Sequence, residues 1–379
     1  MQIAYYSNHF VAQRGHGIAR YAKRLHGALH HGHPDIDVTP VSSWKPGDIH
    51  DLERLQTDCG LRLLPWGRRL TPLAWTFLKR PNIEHWLGNS ADVVHTLALG
   101  YPVPSLKPSV VTVHDIGPLT HPEFFPRANA RWMRVGLKHF LRTASSFICV
   151  SQATADELQS YTGLELTNRL HVVPEGVEPL FLEEPDPTCL AGLKDLPPRG
   201  VPFVLTAGAL SPRKNVARLL AAMEALRDRI PHHLVIVGGT GWGGGGLADR
   251  IRQSPIADRI HPLGYVSDQQ LHALYSMAAT FVYVSLFEGF GLPILEALAA
   301  GCPVVTSTVS SLPEVAGDAA VLVAPHDVSA IADGIRQVCT DEGLVRDLRE
   351  RGRKRAAEFS WEKCADGVAD VYREVALRG

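Results

Sequence analysis

The stretch Ala279-Thr-Phe-Val-Tyr-Val-Ser-Leu-Phe-Glu288-Gly-Phe-Gly-Leu-Pro-Ile-Leu-Glu296 reads as a strand, a loop and a helix in direct succession. Residues 279–284 are apolar and rich in β-formers, which suits a parallel strand buried on both faces. Pro293 opens a pattern with helical spacing through Ile294, Leu295, Leu298 and Ala299. Glu288 therefore lies on the connecting loop, and Glu296 one turn inside the helix. Gly289 and Gly291 permit backbone angles closed to other residues and let a ligand approach the main chain, while the helix start offers unpaired N–H groups to an anion. Both carboxylates project toward the carboxyl edge of a parallel sheet, the usual ligand crevice of an open α/β fold. Ionised carboxylates accept hydrogen bonds from hydroxyls, so two of them beside an anion-binding turn suit a sugar nucleotide.

The same alternation of short apolar runs and helical segments continues in both directions, the signature of a parallel α/β architecture. Strands are expected near 2–7, 36–41, 92–97, 109–114 and 145–151, then near 202–206, 233–238, 260–263, 280–284, 303–306 and 320–323. Helices are expected in the first half near 17–31, 71–87, 127–143 and 152–162. Residues 174–200 turn rich in Pro, Glu and Asp, as a linker does. This places a domain boundary near 180, with a first domain of 1–180, a second of 181–359 and a final helix from about 360 to 379. At 379 residues and 45% hydrophobic content, each half can bury its own core.

Residues 1–180 carry 18 Lys/Arg against 15 Asp/Glu, and 181–379 carry 20 against 24. So mild an asymmetry gives no reason to expect nucleic-acid binding. Cys59, Cys149, Cys189, Cys302, Cys339 and Cys364 form no C-x-x-C pair, which favours a reducing cytoplasm and argues against a zinc site. The chain opens on the strand-like Gln2-Ile-Ala-Tyr-Tyr-Ser7 and has no apolar run near 18 residues, so neither a cleavable leader nor a spanning helix is expected.

Two further loops carry chemistry. Ser211-Pro-Arg213-Lys214-Asn215 follows a strand and Gly208 and opens a helix, so two cations meet a helix N-terminus, where an anion belongs. Arg14-Gly15-His16-Gly17 lies between the first strand and the first helix, where close backbone approach to a ligand requires glycine. His114 ends the run Val111-Thr-Val-His-Asp115, and Ser151 ends the next strand.

The segment from Glu288 to Glu296 resembles the E-x7-E motif of the retaining glycosyltransferases of family 4, whose GT-B fold sets two Rossmann-like domains across a cleft. Ala207–Asn215, Leu263–Asp268, Ala299–Thr306 with Leu312-Pro-Glu-Val315, Val113-His114-Asp115 and Val150-Ser151-Gln152 extend the resemblance in matching order over most of the chain. The resemblance implies an acceptor-binding first domain, completed by the C-terminal helix, and a donor-binding second domain. It implies that Arg213 and Lys214 neutralise the departing diphosphate, that Glu288 holds the donor sugar and that Glu296 holds the ribose. Gly289, Phe290, Gly291 and Leu292 would line the sugar and phosphate pocket. Val266 would lie near the base, and Gly15, Gly17, His114 and Ser151 would face the donor from the first domain. The expected reaction is retaining hexosyl transfer without a metal ion or other cofactor. A GDP-mannose or GDP-deoxymannose donor such as GDP-rhamnose is favoured, with a glycan or lipid-linked glycan acceptor in surface polysaccharide assembly. A UDP-sugar donor, a non-catalytic scaffold of the same fold and a sugar-nucleotide epimerase are the alternatives.

Other patterns carry less. Gly239-Thr-Gly241-Trp-Gly-Gly244 matches G-x-G-x-x-G, but it belongs to a longer glycine run and lacks the acidic residue a dinucleotide site needs. Asp35-Ile-Asp37 has the form of a metal-binding D-x-D pair, yet it enters a strand and reads better as a polar corner. Arg68–Arg80 flanks an apolar, aromatic core with paired cations. Arg127, Arg131, Arg134, Lys138 and Arg142 fall within about 80° of one helical face. Both suit peripheral contact with the inner face of a cytoplasmic membrane.

Overall fold

The computed structural model of the chain describes residues 1–11, 17–49, 51–88, 90–239, 241 and 246–378. The chain divides into two compact units, Met1–Gly176 with Ser360–Gly379, and Val177–Phe359. It leaves the first unit slightly ahead of residue 180. Gly176 rests on the backbone of Ser360 and Trp361, where an added Cβ would stand 2.3 Å from the Trp361 nitrogen.

The first unit is built on seven parallel strands, β1 (Gln2–Tyr6), β2 (Asp37–Ser42), β3 (Arg62–Leu63), β4 (Val93–Thr96), β5 (Ser109–Val113), β6 (Ser146–Cys149) and β7 (Leu170–Val172), in the order β3-β2-β1-β4-β5-β6-β7. The short β3 and β7 are additions to the expected set. Two and three residues give no periodicity to read, and they form by pairing with β2 and β6. β4, β5 and β6 are buried along their whole length, as apolar runs in a parallel sheet should be. Helix Arg127–Thr143 packs so close to the chain after β4 that a Cβ on Gly136 would lie 1.7 Å from the Leu99 carbonyl oxygen. The final helix, Trp361–Arg378, lies alongside Gly17–Gly32 in this unit and buries Trp361, Tyr372 and Val375.

The expected helix at 71–87 is a correction. A helix spans Gly67–Phe77, and a separate 3-10 turn spans Ile83–Leu87. Lys79 takes a left-handed φ of 52° and Pro81 has no N–H to donate, so the periodic run cannot continue as one helix.

The second unit carries six parallel strands, β8 (Phe203–Ala207), β9 (His233–Val237), β10 (Ile260–Gly264), β11 (Thr280–Tyr283), β12 (Val304–Ser307) and β13 (Ala320–Val323), in the order β10-β9-β8-β11-β12-β13. β8 and β11 are adjacent although far apart in sequence, so the strand order reverses between them. Loops leaving their carboxyl ends diverge there and open a crevice.

Candidate active site

The crevice at the β8/β11 junction holds the charged residues singled out in the sequence. After β8, a 3-10 turn, Pro212–Lys214, leads into helix Val216–Ala225 through Asn215, which adopts the left-handed region at φ 59°. Asparagine tolerates that conformation better than most residues. Here the buried Asn215 amide locks it by donating to Val284 O at 3.0 Å and Pro325 O at 2.7 Å. After β11, the backbone N–H of Leu286 donates to Arg213 O at 2.8 Å, and the Arg213 guanidinium donates to Phe287 O at 2.7 Å. The two loops are thus tied together by one main-chain and one side-chain hydrogen bond.

Their side chains converge on Glu288. Its Oε1 accepts from Lys214 Nζ at 2.6 Å, and its Oε2 is ion-paired with Arg213. The Tyr283 hydroxyl donates to Glu288 Oε1 at 2.9 Å and accepts from Lys214 Nζ, which also stands 4.5 Å from the Tyr283 ring centroid. Burial opposes ionisation of Glu288, but Arg213 and Lys214 outweigh it and hold the carboxyl at about 2. Such a carboxylate accepts hydrogen bonds and takes up no proton near neutrality. Burial pulls the Lys214 ammonium down to about 8, although Glu288 acts to raise it, and pushes the Tyr283 phenol well above its usual value. Two cations against one carboxylate leave a net positive, partly desolvated cluster in which an anion is strongly favoured.

The glycines around it are spatial requirements. Gly208 has φ 130° and lies against the Lys214 side chain. Gly238 also has φ 130°, and a Cβ there would come within 2.0 Å of Gly208 O. Gly291 has φ 121° and caps helix Leu292–Ala299. The backbone of Glu288 to Phe290 is held from the β12 side, where Ser311 Oγ donates to Phe290 O at 2.6 Å and stands 3.0 Å from Glu288 O. Ser310 Oγ also donates to Glu288 O. Glu296 is buried in the helix and accepts from the Tyr275 hydroxyl at 3.4 Å. Gly289 precedes Phe290 on this loop, and Leu292 is the first residue of the helix that Gly291 caps. Val266 is buried just beyond β10, beside an exposed Tyr265.

In the first unit, His114 follows β5 with both ring nitrogens engaged: Nδ1 lies 3.0 Å from Glu175 Oε1 and Nε2 lies 3.1 Å from Leu97 O. The ring stands edge-on to Tyr21 at 4.7 Å. Ser151 is fully buried and caps helix Gln152–Thr162, its Oγ accepting from Thr154 N at 3.0 Å. The Thr154 hydroxyl reaches His114 O at 3.4 Å, which joins the two strand ends. Gly17 opens helix Gly17–Gly32, while Gly15 lies outside the described residues, as does most of the Gly239–Gly246 run. The Asp35 carboxylate meets Arg373 at 3.3 Å, and Asp37 begins β2.

Residues 194–355 match the model for glycosyl transferases group 1, and residues 15–179 match the model for glycosyltransferase family 4. The O-antigen chain mannosyltransferase B of Escherichia coli is 34% identical over 372 residues, 94% of this chain and 96% of that protein. The chain belongs to the family 4 glycosyltransferases. Another relative is the MMP alpha-(1->4)-mannosyltransferase of Mycolicibacterium hassiacum, 31% identical over 72% of this chain and 66% of that protein. Among solved structures, the sucrose-phosphate synthase of Thermosynechococcus elongatus superposes with a TM-score of 0.80 at 22% identity, covering all of both chains. Anabaena HepE in complex with UDP and glucose gives 0.74 at 18%, covering 99% of this chain and 100% of that one. These likenesses give the glycosyltransferase the GT-B fold.

Tyr283, Ser310, Ser311 and Glu175 were not singled out in the sequence, although each holds a residue that was. Tyr283 reads there as one more β-former in an apolar strand. Only the pleat, which aims its hydroxyl at Lys214 and Glu288, reveals more.

Proposed function

We propose that this glycosyltransferase transfers a mannosyl or deoxymannosyl residue, with retention, from a GDP-sugar to a hydroxyl of a glycan or lipid-linked glycan in surface polysaccharide assembly. The observation that carries the reading is the Arg213–Lys214–Glu288 cluster at the strand-order reversal. The likeness to an O-antigen mannosyltransferase over nearly the whole chain supports mannose. Arg213 grips the diphosphate through its fork, and Lys214 acts as a point charge. Glu288, held ionised, accepts from donor-sugar hydroxyls and orients the anomeric carbon. Glu296 binds the ribose, Val266 packs near the base, and the backbone of Gly289 to Leu292 lines the pocket, with Gly208 giving Lys214 room. Gly15, Gly17, His114 and Ser151 are read, as the family resemblance implies, as further residues for the donor. The departing phosphate takes the acceptor proton on the face it leaves, so the protein supplies positioning and charge stabilisation and no covalent nucleophile.

The reading includes a cytoplasmic location, consistent with six free cysteines, and an acceptor site in the first unit. Among the described residues no helix is long and apolar enough to cross a membrane. It requires no metal ion, so excess EDTA should leave the initial rate unchanged; a rate restored only by added divalent cation would overturn that part. The central test incubates the chain with GDP-mannose, GDP-rhamnose and UDP-glucose, with and without mannose-terminated lipid-linked acceptors, and reads the new linkage by NMR. Transfer from GDP-mannose or GDP-rhamnose into an α-linkage is the expected result. Transfer from the UDP-sugar alone would reassign the donor, sugar epimerised without acceptor would reassign the reaction, and no turnover with any donor would favour a scaffold.

A further inference from the structure

Helix Gly67–Phe77 of the first unit is apolar on two faces. One buries Thr71, Pro72 and Trp75, with the Trp75 indole donating to Pro81 O at 3.0 Å. The other carries Trp66, Leu70, Leu73 and Phe77 at spacings of four, three and four residues, within about 60° of one another around the axis. All four are exposed, Leu70 to 62% and Phe77 to 75%, and Leu78, the next residue in the chain, is exposed to 70%. A helix on a water-facing surface normally turns charge outward, so a second apolar stripe opposite the buried one marks a surface that meets something other than water.

The charge around the stripe selects the occupant. Arg69, Lys79 and Arg80 border it, all exposed, and among the described residues no carboxylate pairs with any of them. Arg68 is set apart, stacked over Trp44 at 4.6 Å. The basic face of helix Arg127–Thr143 belongs to the same region. His139 on that helix lies 3.0 Å from Val103 O through Nε2, and its imidazole pKa is lowered by burial first and further by Lys79, which follows helix Gly67–Phe77, and by Arg142. A protein partner or a second copy would need carboxylates opposite the three cations. A bilayer with anionic headgroups meets an apolar stripe rimmed by cations at once, the side chains entering the acyl boundary and the cations resting on phosphate.

We propose that the outward face of helix Gly67–Phe77, through Trp66, Leu70, Leu73 and Phe77 with Arg69, Lys79 and Arg80, docks the enzyme on an anionic phospholipid surface. This inference rests on side chains that the donor chemistry does not use, so it stands or falls separately from the donor assignment. It deepens the acceptor reading by giving the first unit its own hold on the surface that carries a lipid-linked glycan.

The test is co-sedimentation of the full chain with phosphatidylglycerol-containing vesicles and with pure phosphatidylcholine vesicles, over a salt series. The wild type should bind the anionic vesicles, more weakly as salt rises. L70Q/F77Q should lower the partition coefficient about tenfold or more, and R69Q/K79Q/R80Q should remove the preference for anionic lipid. Each should keep the wild-type circular dichroism and thermal midpoint, because the altered side chains are exposed. Failure of the wild type to bind anionic vesicles, or wild-type binding by L70Q/F77Q, would overturn the proposal. So would a wild-type dimer in light scattering that L70Q/F77Q converts to monomer, since the stripe would then be a contact between copies.

Discussion

At the scale of single residues, Lys214 carries the sharpest expectation. Its ammonium lies between Glu288 and Tyr283, so a diphosphate meets a cation already positioned, with little reorganisation left to make. Lys214→Ala should reduce kcat by about 10²-fold or more with the circular dichroism spectrum intact; near-normal turnover would remove Lys214 from the phosphate site. Burial holds this ammonium at about 8 in the free protein. Phosphate favours the charged form, so donor affinity should be highest below pH 8 and weaken above it by as much as about tenfold per pH unit, measurable by calorimetry with GDP. Tyr283→Phe removes the hydroxyl shared by Lys214 and Glu288, and should move the alkaline limb of that profile and lower kcat more than it raises KM. An unmoved limb would mean that Tyr283 only fills space. Arg213, Lys214 and Glu288 were legible in the sequence because paired charges beside glycines after an apolar strand have few structural explanations. Tyr283 was not, since a tyrosine in a β-rich run is chemically silent until the pleat direction is known.

At the scale of elements, the site depends on how closely the carboxyl ends of neighbouring strands approach. Gly208 N–H donates to Val237 O at 2.9 Å, and Gly238 N–H donates to Gly264 O at 2.7 Å, so the ends of β8, β9 and β10 are laced through glycines. Gly238→Ala would place a methyl group in the Gly208 carbonyl and force alanine to φ 130°. A loss of roughly 1–3 kcal/mol from the backbone conformation alone is expected, more with the clash, seen as a lower thermal midpoint together with weaker GDP binding. A drop in midpoint with unchanged GDP affinity would separate this lacing from the Lys214 turn. Most strands were legible to within a residue or two because buried parallel strands are short apolar runs between turn signals. β3 and β7 were not, because pairing creates them. The break at Lys79 was also hidden, since the apolar spacing on either side of Pro81 mimics one continuous helix.

At the scale of the whole molecule, the last helix belongs to the first unit although it follows the second in sequence, and a buried imidazole fastens it there. His95 Nδ1 lies 2.6 Å from the Tyr372 hydroxyl and Nε2 lies 2.8 Å from Thr112 Oγ1, which in turn meets Tyr21 at 3.3 Å. Burial, followed by the nearby His114, depresses His95 to about 3. His26, His139 and His171 in this unit, and His232, His233 and His272 in the other, are also lowered, chiefly by burial. For each of them the unfolded chain binds the extra proton, so the stability they contribute is present above about 6.5 and is lost as pH falls. Glu288 has the same sign but acts later, between about 4.5 and 2. His95 has the widest window of the imidazoles and should add a slope of up to about 1.4 kcal/mol per pH unit from 6.5 downward. Thermal midpoints taken from pH 7 to pH 4.5 should therefore fall steeply in the wild type. In His95→Gln they should start lower, because the bonds to Tyr372 and Thr112 are disturbed, and then fall less steeply, because the largest titrating group is gone. Tyr372→Phe supplies the complementary measurement. It leaves His95 Nδ1 buried without its partner, so the midpoint at pH 7 should drop by the equivalent of about 1–3 kcal/mol while the acid slope remains. Equal slopes in wild type and His95→Gln would show that the acid sensitivity resides in the other imidazoles, His26, His139 and His171 among them.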